Sequence, residues 1–423
     1  MRYFRQALAM MREEKLFSGI YIVGTALAIA FTMVMAVVYY AKLANIEPEV
    51  NRSRTVYVRR LVKIAKEDTL GGIHTNYQPV SIDEWFQPLE CAEIISSSIN
   101  PSDITSEKCY LKCDNNKLLP VIQRMVDANF FKVYRFNFVY GRPFTQEECK
   151  HEGYGVGSVV PVIISRDVAE KAFGKNVNPV GKTLEFFYAV RVVGVIEPTS
   201  SIMDESFGQL FIASDQDTGH LAVVLKEGYT ADDLQKEIDE IAHRLSVSSK
   251  EWNYYAFDTV IPHVQLKLSE DGGLHSWSDI LKSLFPKVFV LLLVPALNLS
   301  GLVAARMRRR LAEMGVRKAF GATRRALLLQ VISENFILTL FGGLLGLAFA
   351  WLMLYVFRSW LFFAIGRHAS ALPEPTIAGE MLFSPLIFII ALLVCMVINL
   401  MAALVPAWLS LRNPIVESMN EKK

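Results

Sequence analysis

Charge is scarce in this chain: Asp, Glu, Lys and Arg make up 20% of its 423 residues, against 52% hydrophobic. That balance is too apolar for one soluble domain, and it excludes a soluble enzyme or an intrinsically disordered chain. Cysteine is scarce too, and five in the whole chain exclude a small disulfide scaffold. The seven histidines form no His-Glu-x-x-His pattern and no Ser/His/Asp set stands out, so catalysis has no candidate. A phosphate-binding loop is also missing. Gly181-Lys182-Thr183 has the ending of one, but the glycine required five positions earlier is Asn176. The tripeptide reads as a turn before a strand beginning at Leu184, and no ATP hydrolysis is expected of this chain by itself.

The apolar residues are gathered in four blocks. Residues 17–41 carry no charge and are enough to cross a hydrocarbon core as a helix. They exceed the roughly 7–15 residues of a signal-peptide core. Lys42 and Leu43 stand where a cleavage site would need small residues, so an uncleaved anchor is expected. The other crossings are read at residues 284–305, interrupted by Lys287 and Pro295, at 326–357 and at 384–409.

Basic residues orient these helices. An amphipathic N-terminal segment (1–16), the link 306–325 and the tail 410–423 together hold 15 Lys and Arg, whereas the short loop 358–383 holds only Arg358 and Arg367. The positive-inside rule then places both termini in the cytoplasm. Residues 42–283 lie outside, with a net charge of −8 against +10 on the cytoplasmic face. A short basic link pressed against a bilayer makes a poor nucleic-acid site. Attraction to anionic membrane lipid is the simpler reading, on the order of 1 kcal/mol per basic residue.

The outer segment is long enough for two compact subdomains, the second inserted into the first. Thr55–Ile64 reads as a strand and Pro120–Asn129 as a helix. Phe130–Phe144 alternates aromatics and closes on a Gly-Arg-Pro turn. Pro161–Ile164 is expected to be a buried strand, followed by an amphipathic helix over Ser165–Phe173. Arg191–Ile196 and Leu221–Leu225 read as further strands. Thr230 and Asp233 form a capping-box pattern ahead of a helix with Leu234, Ile238, Ile241 and Leu245 on one face. The fold class is therefore an α-helical membrane protein with four transmembrane helices and a large mixed α+β extracytoplasmic domain between the first and second. Cys91, Cys109, Cys113 and Cys149 fall in that domain, where three disulfide pairings or unbridged thiols stay open. Cys109 and Cys113 are close enough in sequence to close a small loop. No neighbouring His or Cys-x-x-Cys supports a metal.

The informative stretch is Arg306–Glu334, RMRRRLAEMGVRKAFGATRRALLLQVISE. It is helix-prone, with Leu311, Met314 and Val316 recurring among charges, and Met314, Phe320 and Ala322 would face the cytosol uncovered. An amphipathic helix lying on the bilayer, or docking into a groove on a partner, would cover them. Gly315 and Gly321 would let the chain bend or a partner's backbone approach. The run Glu313-Met314-Gly315-Val316-Arg317-Lys318-Ala319-Phe320-Gly321-Ala322 resembles the E-[IM]-G-[VI]-R-[KR]-A-[LI]-G-A signature of MacB/FtsX-type ABC transporter permeases. Phe320 stands where that family usually has a smaller aliphatic residue. Gly141-Arg142-Pro143-Phe144, Asn178-Pro179-Val180-Gly181-Lys182 and Val192-Val193-Gly194-Val195 are similar to recurrent pieces of the family's outer domain. Pro406-Ala407 with Asn413-Pro414-Ile415 resembles its ending. One crossing, a large outer domain and three further crossings is the family's layout, so the resemblance covers nearly the whole chain.

The resemblance implies a permease subunit in the cell inner membrane that passes ATP-driven motion to its periplasmic domain. The link would dock on a cytoplasmic ABC ATPase dimer. Glu313, Arg317 and Lys318 would make polar contacts, Met314 and Phe320 would pack into a groove, and Gly315, Gly321 and Ala322 would allow close approach. ATP and magnesium would bind that partner, and no cofactor or metal this chain. With so short a segment before the first crossing, the ATPase is expected on another polypeptide. Family members work as permease dimers, so a second copy, identical or different, is implied. Gly24 and Ala28, and Gly342 and Gly346, are small residues at four-residue spacing that can bring helices close; the resemblance places only the first pair at a dimer interface. Lys287, Glu334, Asn298 and Asn399 form no binding site inside the membrane. Efflux of a periplasmic peptide or antibiotic ranks first, since the outer domain is large, with a periplasmic adaptor and an outer-membrane channel as further partners. Lipoprotein release and control of a cell-wall hydrolase are the alternatives. An envelope receptor without an ATPase is the rival from another class.

Overall fold

The structure, a computed structural model, describes residues 15–58, 61–66, 78–79, 89–99, 109–113, 117–150, 159–200, 203–215, 220–256, 260–269, 276–309, 316–317, 319–365 and 385–412. In chain order these form α1 (Lys15–Leu43), β1 (Thr55–Val58), β2 (Leu61–Ala65), β3 (Gln78–Pro79), β4 (Ala92–Ile99), β5 (Cys109–Lys112), β6 (Leu118–Val121) and β7 (Gln123–Val126). Next come α2 (Phe130–Val133), β8 (Phe138–Gly141), α3 (Gln146–Cys149), β9 (Val159–Ser165), α4 (Arg166–Phe173), β10 (Thr183–Glu185), β11 (Ala189–Ile196), β12 (Leu210–Ala213) and β13 (His220–Leu225). The rest are α5 (Ala231–Ser248), β14 (Trp252–Ala256), β15 (Val260–Pro262), α6 (His263–Leu268), α7 (Trp277–Arg309), α8 (Arg324–Ile365) and α9 (Pro385–Arg412). Residues 41–280 make a compact sheet unit, and a helical unit takes residues 15–40, 281–358 and 385–412.

In the sheet unit the main sheet runs β15-β1-β13-β4-β7-β12-β9-β11-β10-β5-β6, with β8 also paired to β11; β14-β2-β3 form a separate small sheet. The sheet is mixed: β9 is parallel to β11 and antiparallel to β12. The β9 sequence VVPVIIS is buried from Val160 onward, the continuous apolar run of a strand covered on both faces. Pro161 is tolerated there because the β12 pairing begins only at Val162, so its missing N–H costs no ladder bond on that side. At one end, α5 places Leu234, Ile238 and Ile241 in a cluster with Val56, Val223 and Leu225. At the other, Val168 and Ala169 of α4 pack with Val160, Val162 and Val192. Each such side chain contributes about 1.5–3 kcal/mol when fully buried. A third cluster is aromatic, with Phe130 standing 5.4 Å from Phe131 and 5.8 Å from Phe211. Strands from both extremities of the segment (β1, β13 and β15) share one end of the sheet, and strands from its middle (β5, β6, β10) the other.

The structure corrects several sequence expectations. The helix expected over Pro120–Asn129 is not formed. Leu118–Val121 pairs with β5, and Gln123–Val126 with both β4 and β12, so neighbours on either side override the local helical pattern. Thr55–Ile64 is two strands rather than one, β1 in the main sheet and β2 in the small one. Cys109 and Cys113 do not form the small disulfide loop. They sit along an extended run in which the Cys113 N–H still bonds the Lys117 carbonyl at 3.0 Å. Four extended residues span about 13 Å, roughly twice the Cα separation a disulfide accepts. Burial pushes the Cys91 and Cys149 thiols up to about 12, which leaves both inert at neutral pH. Other elements fall where the patterns place them: the Thr230–Asp233 capping box closes reciprocally, and Gly181-Lys182 forms the turn into β10.

In the helical unit, Ser18–Leu43 and Arg325–Phe357 are long and apolar enough to cross a membrane; α7 and α9 are helices of 33 and 28 residues. Helices α1 and α8 meet closely. The Tyr21 hydroxyl lies 3.5 Å from the Thr339 hydroxyl. A β-carbon added at Gly342 would stand 2.8 Å from Thr25, and one at Gly346 2.7 Å from the Ala26 carbonyl oxygen. These two glycines therefore serve the approach of α8 to α1 within one chain. Gly24 and Ala28 are half-buried on α1.

In the sheet unit, the Gly141–Phe144 turn and the Val192–Val195 stretch lie back to back. Gly141 has φ +75°, and a β-carbon on it would fall 2.1 Å from the Val193 carbonyl oxygen. Gly141→Ala is therefore expected to destabilise the chain by at least about 2 kcal/mol, because the left-handed backbone alone costs about 1–2 kcal/mol and the clash adds to it. A lower urea midpoint at unchanged slope is the signature to measure.

Candidate functional site

The link between α7 and α8 is described in part. Glu313, Met314, Gly315 and Lys318 lie outside the described residues; Arg317, Phe320, Gly321 and Ala322 lie within them. Val316 and Arg317 are helical, and the turn closes where the Phe320 N–H donates to the Val316 carbonyl (3.1 Å) and the Ala322 N–H to the Arg317 carbonyl (3.0 Å). Gly321, at φ +90°, supplies the left-handed residue that this closure needs. A side chain on it would meet nothing within 4 Å, so the backbone angle and not space demands glycine. Thr323 then caps α8, its hydroxyl accepting from the Ala326 N–H at 3.3 Å.

The product is a helix–glycine–helix corner, and on it Phe320 is 88% exposed. Arg317 turns back onto its own chain. Its Nη1 donates to Gln330 Oε1 at 2.8 Å, and Gln330 Nε2 donates to Glu334 Oε1 at 3.0 Å. Glu334 is buried on α8, and this relay gives its carboxylate a donor. The corner thus holds one side chain inward and presents another outward.

A second arrangement, in the sheet unit, gathers charge where α1 ends. Helix ends leave carbonyl oxygens without intrahelical partners, and here two buried side chains take them. Arg52 Nη1 donates to the carbonyls of Ala41 and Ala44, each at 2.7 Å. His263 Nε2 lies 3.1 Å from the Lys42 carbonyl, and its Nδ1 lies 3.1 Å from the Tyr57 hydroxyl. A carbonyl only accepts, so Nε2 carries the proton and Nδ1 accepts from Tyr57. Arg52 Nε donates to Glu49 Oε2 at 2.7 Å, with both side chains 1% exposed. The other oxygen of Glu49 accepts from the Ser206 hydroxyl at 2.7 Å and its N–H at 3.2 Å.

The loop carrying Ser206 is tied in turn to the sheet and to α6. Fully buried Arg124 of β7 donates from Nε to the Phe207 carbonyl at 2.8 Å and from Nη2 to that of Asp204. Lys267 of α6 reaches Glu205 at 3.2 Å and Asp204 at 3.5 Å. Burial raises the Glu49 carboxyl, but the Arg52 guanidinium, the His263 ring once acid has protonated it, and Lys267 outweigh it and hold it at about 2. Burial lowers His263 to about 4, so its imidazole is neutral at pH 7. Burial also lowers Lys267, and the carboxylates of Glu205, Asp204 and Glu49 more than reverse it.

Sequence reasoning missed this cluster. Glu49 and Arg52 are three apart in a polar stretch, the usual look of a solvated ion pair, and His263 is a lone histidine. A signal was available in hindsight: α1 ends at Leu43 with no glycine after it, so its carbonyls needed another partner. Among the described residues no group of three His, Cys, Asp or Glu is placed to hold a metal.

A mixed sheet domain inserted after a first apolar helix and before a helical C-terminal region defines a membrane protein of permease type. Residues 18–241 match the MacB-like periplasmic core domain and residues 288–415 the FtsX-like permease C-terminal domain. The chain belongs to the MacB/FtsX-type family of ABC transporter permeases. It is 25% identical over 231 residues to the macrolide export ATP-binding/permease protein MacB of Bdellovibrio bacteriovorus, covering 50% of this chain and 32% of that protein. It is 24% identical over 274 residues to the uncharacterised ABC transporter permease YknZ of Bacillus subtilis, covering 63% of this chain and 64% of that one. The chain thus spans about a third of the MacB relative and just under two thirds of YknZ. Among solved structures, the periplasmic region of MacB from Actinobacillus actinomycetemcomitans aligns at 14% identity with a TM-score of 0.34, covering 53% of this chain and 95% of that one.

The buried cluster sets the acid response. Glu49 is depressed on folding, so its contribution is complete above about pH 4.5 and is lost as the pH falls toward 2. His263 is depressed from 6.5 to about 4, so the unfolded chain takes up that proton first and stability falls as pH drops between those values. Thermal melts of the full chain in detergent should lose stability already below pH 6.5, by about 3 kcal/mol across the upper window. His263→Gln should flatten that window and keep the fall below pH 4.5. A wild-type profile in this variant would contradict the neutral buried imidazole.

Proposed function

We propose that this chain is the permease subunit of an ABC transporter whose ATPase docks at the corner around Val316–Ala322. ATP-driven movement there passes through four membrane helices to the periplasmic sheet unit, with both termini in the cytoplasm, and drives export. ATP and magnesium belong to the partner ATPase dimer. The exposed Phe320 carries the reading. An aromatic ring held out on a glycine-stopped corner, with exposed Val316 and Arg325 beside it, fits a groove on a separate protein better than water. Membership of the permease family favours that cover over the bilayer surface. Glu313, Met314, Gly315, Lys318, Gly321 and Ala322 would complete the contact. Arg317 would shape the corner from inside through Gln330.

The face of α1 bearing Ile20, Val23 and Leu27 is exposed and is available to lipid or to a second permease, identical or different, beside Gly24 and Ala28. The name of the Bdellovibrio relative, macrolide export, supports efflux of a periplasmic compound as the task, with a periplasmic adaptor and an outer-membrane channel as further partners.

Affinity purification of the tagged chain from its own membranes should bring down an ATP-hydrolysing subunit. Phe320→Ala should cut the associated activity about tenfold (roughly 1.4 kcal/mol of contact), and Gly315→Asp or Arg317→Glu should abolish it, while each variant still inserts. Undiminished recovery of the complex from all three would overturn the docking site. Lipoproteins stranded in the cytoplasmic membrane on depletion would reassign the task from efflux to lipoprotein release.

A further inference from the structure

We propose that Arg52 and His263 clamp the end of α1 to the sheet unit, with Glu49 as the positioning residue that holds Arg52 in place. This rests on the permease reading only for what the clamp transmits; the clamp itself stands on geometry. The last turn of α1 from Ala41, and Ala44 beyond it, belong to the sheet unit. Their carbonyls are held from two directions. Arg52 comes from the segment before β1 and grips Ala41 and Ala44, three residues apart. His263, the first residue of α6, grips Lys42, about 100° around the helix from Ala41. One anchor alone would leave the helix end free to swivel; two on different faces stop rotation as well as withdrawal.

Each anchor is fixed behind. Glu49 holds Arg52 and is itself held by Ser206, whose loop is pinned by Arg124 of β7 and Lys267 of α6. Tyr57 of β1 fixes the His263 ring. The bonds run from the helix end through α6, the Ser206 loop, β7 and β1, and the ionic ones are charge-assisted and buried, where they are strongest. A guanidinium is also the favoured charge at a helix C-terminus. An ordinary helix end would need only water or a glycine turn. This one spends three cationic side chains and a histidine, all buried, on a single joint. With its last turn held in this way, a rotation or shift of Ala41–Leu43 is passed to α6 and the Ser206 loop instead of being absorbed in residues 44–54.

The test uses the full chain in lipid nanodiscs. The double variant Glu49→Gln with Arg52→Gln removes the grip without leaving one buried charge alone, and His263→Gln tests the second anchor separately. Amide hydrogen exchange of residues 41–54 should accelerate at least tenfold in each, with β9 and β11 exchanging at wild-type rates as proof of folding. Wild-type exchange at residues 41–54 in both variants would overturn the clamp, and this arm needs no ATPase. In the complex with its ATPase, magnesium-ATP plus vanadate should alter exchange at Met203–Phe207 in the wild type. The double variant should lose that response while hydrolysing ATP within twofold of wild type. A response of full size in the variant would overturn the transmitting role of the clamp.

Discussion

A helix that ends against a folded domain must hand its last carbonyl oxygens to some donor, and in this chain the donors are buried and charged. The Arg52 guanidinium on Ala41 and Ala44 settles the position of Glu49, and Glu49 settles the loop around Ser206. The same loop offers its carbonyls to Arg124 and its carboxylates to Lys267. None of these charges could be buried alone, since an unpaired ion in the interior costs several kcal/mol. Together they form a set in which each member justifies the next. The cluster therefore specifies where the sheet begins relative to the end of α1, a matter that apolar packing, being non-directional, would leave loose.

The corner between α7 and α8 relies instead on backbone shape. The corner at Gly321 holds its angle because a left-handed residue closes the helix before Thr323 opens the next. Arg317 locks that corner from within by its relay to Glu334, which leaves Phe320 as the outward feature. The bonded end of α1 and the glycine corner before α8 are two points where the chain direction is fixed by hydrogen bonds. The tight approach of α8 to α1 at Gly342 and Gly346 adds a third stiff contact, within the helical unit.

What the amino-acid order determined alone was whatever depends on local pattern or on overall polarity. Uncharged runs marked the long helices, because hydrocarbon tolerates little charge over some twenty residues. Thr230 with Asp233 marked the start of α5, because capping is a contact between near neighbours. The run Glu313–Ala322 marked the family. Pro120–Asn129 failed for the complementary reason: its helical look is local, whereas β7 exists because β4 and β12 lie on either side of it. Of the alternatives left open for Cys109 and Cys113, the structure takes the unbridged thiols, since closeness in sequence becomes distance once a strand extends the chain.

The tertiary structure alone decided which charges are buried. Glu49, Arg52, Arg124, His263 and Lys267 are scattered over more than two hundred positions and each, in its own neighbourhood, reads as solvated. Burial is a property of what folds over a residue, and ion pairing between distant residues leaves no periodicity for a sequence to display. The membrane class and the family could be read along the chain; the joint that ties α1 to its domain could be seen only once the chain had brought its parts together.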